Sequence, residues 1–127
     1  PRDLSAPTLQ ADGVAGVPAD SPYLRLPETA FAEQVASLAR EVTAGTVTPY
    51  DQALALQSYL RDGALFRYST DVPEPRTDDA VWDFLTERTG YCVQYATAMT
   101  VMARHLGLPT RMAVGFLPGQ PSGRGQY

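Results

Sequence analysis

The sequence contains no lysine: all ten of its cationic residues are arginine, set against fourteen aspartates and glutamates for a net charge of −4. That balance provides no basic face for nucleic acid, and it leaves the chain without a lysine amine to offer in acyl transfer. A single cysteine, Cys92, excludes both an intrachain disulfide and a thiolate-rich metal cluster; no metal or cofactor is expected. A single histidine, His105, limits the choice of a general base. No apolar run approaches the roughly 18 residues of a membrane span, and no signal-peptide pattern opens the chain. What is present is a chain of 127 residues with 44% hydrophobic and 19% charged side chains, the composition of one globular domain.

Residues 1–27 are rich in Pro, Ala, Gly and Asp and lack periodicity, which predicts an extended leader or linker. Helical pattern begins near Glu28, with Phe31, Val35, Leu38 and Val42 on one stripe and Gly45 as a stop. Thr48-Pro49-Tyr50-Asp51 reads as the capped start of a second helix, with Ala53, Leu54, Leu56, Tyr59 and Leu60 as its apolar face up to Asp62-Gly63. Ala64 to Thr70 reads as a short extended segment, Asp71 to Asp78 as a proline-containing loop. Asp78 or Asp79 then caps a short helix through Val81, Trp82, Phe84 and Leu85.

A third long helix is predicted from Tyr91 to Leu106, ended by Gly107-Leu108-Pro109. Cys92, Tyr95, Ala96, Met99, Met102, Ala103 and Leu106 share its core-facing side, and its other side is also light in charge, the pattern of a buried central helix. Thr110 to Leu117 follows as a strand, then a Pro-Gly turn, and Arg124 to Tyr127 opens a return strand.

Cys92 opens that helix directly after Gly90-Tyr91. Unpaired backbone N–H groups and the positive end of the helix dipole favour a thiolate there. A rigidly held thiolate with N–H donors beside it is what acyl transfer requires. The bland alternative is a small buried hydrophobe.

Gly90-Tyr91-Cys92 with Tyr95-Ala96, then Arg104-His105-Leu106-Gly107-Leu108-Pro109-Thr110-Arg111 and Gly115-Phe116, resembles the core of the transglutaminase-like superfamily. Upstream, Thr48-Pro49-Tyr50-Asp51, Tyr59-Leu60-Arg61, Tyr68 and Asp83-Phe84-Leu85 resemble bacterial members whose domain lies outside the membrane between transmembrane segments. The resemblance runs from about Leu26 to Gly119. It implies an α+β fold: the helical half of a transglutaminase-like, papain-like domain over residues 28–127, with a central Cys-bearing helix and the first strands of an antiparallel sheet.

The resemblance also implies an acyltransferase or cysteine protease in which Cys92 attacks a protein or peptide amide and forms a thioester. The family's histidine base and orienting aspartate would follow Tyr127, so the chain alone is expected to be truncated and silent, part of a membrane-anchored bacterial protein. The expected partner is a protein or peptide substrate. An open strand edge at 110–117 predicts self-association. The alternative is a transglutaminase-like binding or scaffolding module with an inert Cys92.

Other residues carry less chemistry. Tyr91 lines the acyl site as a substrate contact or packs as a lid. His105 lies thirteen residues beyond Cys92, about 20 Å along a helix, too far to act as its base. Arg111 is read as pairing with a carboxylate to orient the strand. Trp82, Met99 and Met102 are core; Asp78, Asp79 and Glu74 are solvated loop charges.

Overall fold

Thr48 folds the strongest local signal as its residue type dictates. Its hydroxyl accepts the Asp51 N–H at 3.1 Å, and Pro49 occupies the first helical position, where a missing N–H costs nothing. The computed structural model describes residues 4–13 and 17–115. It contains α1 (Ala6–Ala11), α2 (Ala32–Val42), α3 (Pro49–Leu60), β1 (Arg67–Tyr68), α4 (Ala80–Glu87), β2 (Thr89–Gly90) and α5 (Cys92–His105). Helices α2, α3 and α4 all pack on α5. Between them lies one core built on Val35, Ala39, Leu56, Leu60, Phe66 and Met102. Among the described residues no helix is long and apolar enough to cross a membrane.

The start of α4 is equally legible. Asp79 Oδ1 accepts the N–H groups of Val81 and Trp82, both at 3.0 Å. Asp79 is, however, buried rather than solvated, because its cap is packed into the core. The far end of α4 has no glycine. Arg88 takes φ 56°, ψ 25°, a left-handed conformation costing a non-glycine residue about 1–2 kcal/mol. That bend swings the chain into β2, and Arg67 N–H donates back to the Arg88 carbonyl at 2.8 Å. β1 and β2 pair in parallel, Arg67 opposite Thr89 and Tyr68 opposite Gly90.

α5 ends in a Schellman turn. Leu108 N–H reaches the Ala103 carbonyl and Gly107 N–H the Arg104 carbonyl, each at 3.0 Å, and Gly107 at φ 77° supplies the positive φ this motif demands.

Several expectations are corrected. The leader is not wholly extended, since α1 forms within it and packs on α3; Gln10 Nε2 donates to Asp51 at 2.8 Å. α2 starts at Ala32 rather than near Glu28. Only Arg67–Tyr68 of the predicted 64–70 segment is strand, because Phe66 is buried in the core and Leu65 belongs to the preceding turn. Among the described residues the sheet is a single parallel pair. Residues 110–115 form no strand: Thr110 N–H finds the Tyr23 carbonyl at 2.9 Å, but no ladder follows. The edge expected to drive self-association is therefore not seen there, although Met112 and Val114 are exposed. The predicted 118–123 turn and the strand from Arg124 lie outside the described residues.

Candidate active site

Gly90 is the tightest point beside Cys92. A Cβ on it would lie 3.0 Å from Phe84 Cδ2 and Cε2 and 3.0 Å from Gln94 Cβ, tight enough that those neighbours would have to shift. The Phe84 ring therefore presses on bare backbone immediately before the helix. Phe84 meets Tyr95 edge-on at 4.8 Å and Phe66 at 5.4 Å, and Phe66 meets Tyr59 at 5.2 Å. This aromatic cluster anchors the first turn of α5. Burial pushes the Tyr95 and Tyr59 hydroxyls above their ordinary range.

Cys92 is the first residue of α5 and is exposed. The expectation of a core-facing Cys92 on a helix apolar all round fails here: full burial begins at Ala98, Met102 and Ala103, and in the first turn Tyr95 packs against the core while Cys92 and Val93 are exposed. Tyr91 is partly buried and caps the helix through its backbone, its N–H donating to Gln94 Oε1 at 3.2 Å. Gln94 thus fixes the Gly90–Tyr91 peptide, one residue before Cys92. Sequence reading passed over Gln94, although a Gln three residues after the cap is a recognisable capping signal.

Beside this turn lies a cleft of about 150 Å³, walled by Val72, Pro73, Pro75, Ala80, Phe84 and Gln94. Its floor is held by Asp83, whose carboxylate accepts the backbone N–H groups of Arg76 and Thr77 at 3.0 Å and the Thr77 hydroxyl at 2.9 Å. Those bonds, the Thr77 N–H foremost, hold its pKa below the ordinary carboxylate value. Glu87 pairs with Arg76 at 2.8 Å. Neither Cys92 nor Tyr91 lines the cleft.

His105 closes the opposite end of α5 and is not brought to the thiol. Burial lowers its pKa below the ordinary 6.5; Glu33 and Asp79 act to raise it and Arg40 lowers it further. The unfolded chain therefore takes up this proton at a higher pH than the folded one. Stability present above pH 6.5 is expected to be lost as pH falls through the folded value. Urea midpoints at about pH 7.5 and about pH 5.5 check this: the wild-type chain declines across the interval, and His105→Gln flattens the decline.

Arg111 is exposed and has no carboxylate partner among the described residues. The orienting role falls to Arg104, which donates to the Thr110 carbonyl at 3.0 and 2.6 Å and to the Arg25 carbonyl at 2.7 Å. Trp82 is partly buried and stacked on Phe31 at 5.6 Å, and Met99 and Met102 are in or against the core. Among the described residues no group of histidine, cysteine and carboxylate side chains is placed to hold a metal ion.

The exposed cysteine opens its helix just after a glycine packed beneath an aromatic ring, and comparison of the sequence with known families supplies the class of the chain. Residues 36–127 match the transglutaminase-like superfamily, and the chain belongs to it. It is similar to the uncharacterized protein YebA of Bacillus subtilis (strain 168), 36% identical over 101 residues, which covers 77% of this chain and 13% of that protein. The chain thus spans only a small part of that relative's length. No solved structure matches it.

Proposed function

We propose that Cys92 is the nucleophile of a thiol-dependent acyl transfer on protein or peptide amides. The supporting observation is the exposed thiol at the first residue of α5 in a chain of this superfamily. Sγ bonds to the carbonyl carbon, the carbon–nitrogen bond breaks, and the thiol proton leaves with ammonia or an amine. Water or a second amine then cleaves the thioester and restores the thiol. Backbone N–H groups at the start of α5 suit the oxyanion formed in each step.

The base is the missing element. His105 is separated from Cys92 by the length of α5, so the proton acceptor comes from elsewhere in a longer protein. By the same proposal residues 1–127 alone turn nothing over, and the longer protein holds this domain outside a bacterial membrane. Tyr91, beside the nucleophile, is proposed as a substrate contact.

Ammonia release from glutaminyl peptides by the full-length protein tests the assignment. Cys92→Ala is expected to cut the rate by about a thousand-fold or more, while residues 1–127 by themselves release none. An unchanged rate in Cys92→Ala removes Cys92 from the chemistry. A full-length protein that binds such peptides without releasing ammonia is a binding module.

A further inference from the structure

Resting on the nucleophile reading of Cys92, we infer that the cleft between the 72–75 loop, α4 and Gln94 receives an aliphatic, non-acidic side chain of the peptide substrate, close to the reacting amide. The walls are Val72, two prolines, Ala80 and the Phe84 ring, predominantly carbon. A cavity of about 150 Å³ lined by apolar groups accommodates a molecule the size of benzene, so a Val- or Leu-sized side chain fits the 150 Å³ here.

Its position follows from helix geometry. Cys92 and Gln94 lie on opposite sides of α5, about 200° apart, yet at the helix end that separates their Cα atoms by only about 5 Å across and 3 Å along the axis. Extended peptide advances about 3.3–3.6 Å per residue. A substrate crossing the mouth of α5 thus places one residue at the thiol and a neighbour one or two positions away over the cleft. Gln94 belongs to both: Oε1 holds the Tyr91 N–H, and Nε2, without an acceptor among the described residues, is left for a peptide carbonyl.

Charge sets the second half of the preference. Glu74, Asp83 and Glu87 all line this cleft. Asp83 is occupied by Thr77 and Arg76, and Glu87 by Arg76. None of the three offers a donor to an incoming carboxylate, and their field opposes one. Acidic side chains are excluded, and aliphatic ones gain by leaving water.

The test separates the cleft from the chemistry. Dye-labelled, blocked Leu-Gln-Gly, Gly-Gln-Gly and Glu-Gln-Gly are titrated by fluorescence anisotropy against full-length protein carrying Cys92→Ala. The leucyl peptide is expected to bind about ten-fold or more tightly than the glycyl one, and the glutamyl peptide more weakly than either. Ala80→Leu, at an exposed helix position that leucine suits, fills the cleft and brings the Leu-to-Gly ratio close to one; Val72→Asp does the same by charge, should Ala80→Leu fail to fold. Equal binding of the leucyl and glycyl peptides, a ratio that survives both substitutions, or no binding at all overturns the assignment. Ammonia release from wild-type protein that ignores the flanking residue defeats the cleft and leaves the nucleophile reading standing. A leucyl preference without Cys92-dependent release does the reverse.

Discussion

Phe84→Ala is expected to cost about 3–5 kcal/mol of unfolding free energy, the largest stability loss of any substitution considered. The ring is 3% exposed and touches Phe66 and Tyr95 while covering Gly90. Its neighbours come from the turn before β1, from β2 and from α5, three segments that cannot close together on a methyl group without shifting one another. A domain's total stability is only about 5–15 kcal/mol, so a large share is at stake. Urea unfolding of residues 1–127 measures it. A loss below about 1 kcal/mol would mean that the aromatic cluster repacks freely and does not anchor the start of α5.

Arg104→Met is the second large effect, and its mechanism differs. Methionine keeps the apolar stem but removes three charge-assisted bonds, two to the Thr110 carbonyl and one to the Arg25 carbonyl. Hydrogen bonds to charged groups contribute about 1.5–3 kcal/mol, and the loss should fall in that range, because the segments released here reach water again. The local signature is sharper than the global one. The Thr110 amide, bonded to the Tyr23 carbonyl, should exchange with deuterium much faster in the variant. Lysine should not restore its protection, since a point charge lacks the guanidinium fork. Unchanged exchange at Thr110 would show that Tyr23 alone holds the segment.

Both predictions concern how the first and last turns of α5 are fixed, and the two ends differed in legibility. At the C-terminal end, Gly107-Leu108-Pro109 announces a stop, and the Schellman turn forms there. Thr48-Pro49 and Asp79 are similarly legible, because capping is chemistry between residues two or three apart. The Cys92 helix was placed to within a residue at both ends for the same reason. Its environment was not. Periodicity shows which residues share a side, but not how far the neighbouring helices extend along it. They cover Ala98 to Ala103 and leave Cys92 in the open.

The 110–115 segment fails for a related reason. Alternating Met112, Val114 and Phe116 has strand character, but a strand exists only where a partner supplies a ladder, and the described partner is a single bond to Tyr23. Arg111 looked like the orienting residue by its place in the motif. Arg104, marked in the sequence only by its place in the same motif, performs that work because the turn after α5 folds the Thr110 carbonyl back onto it.

By itself, then, the sequence determined the local events: where helices cap and stop, which cysteine begins a helix, that His105 cannot reach it, and the superfamily to which the pattern belongs. Tertiary structure alone decided that Cys92 faces solvent, that Gly90 lies bare beneath Phe84, that Gln94 joins a cleft to the Cys92 helix, and that Arg104 ties the leader to the segment beyond it. The division is one of range. Hydrogen bonds within a turn are encoded by neighbouring residues, whereas burial and clefts depend on surfaces brought together from distant parts of the chain.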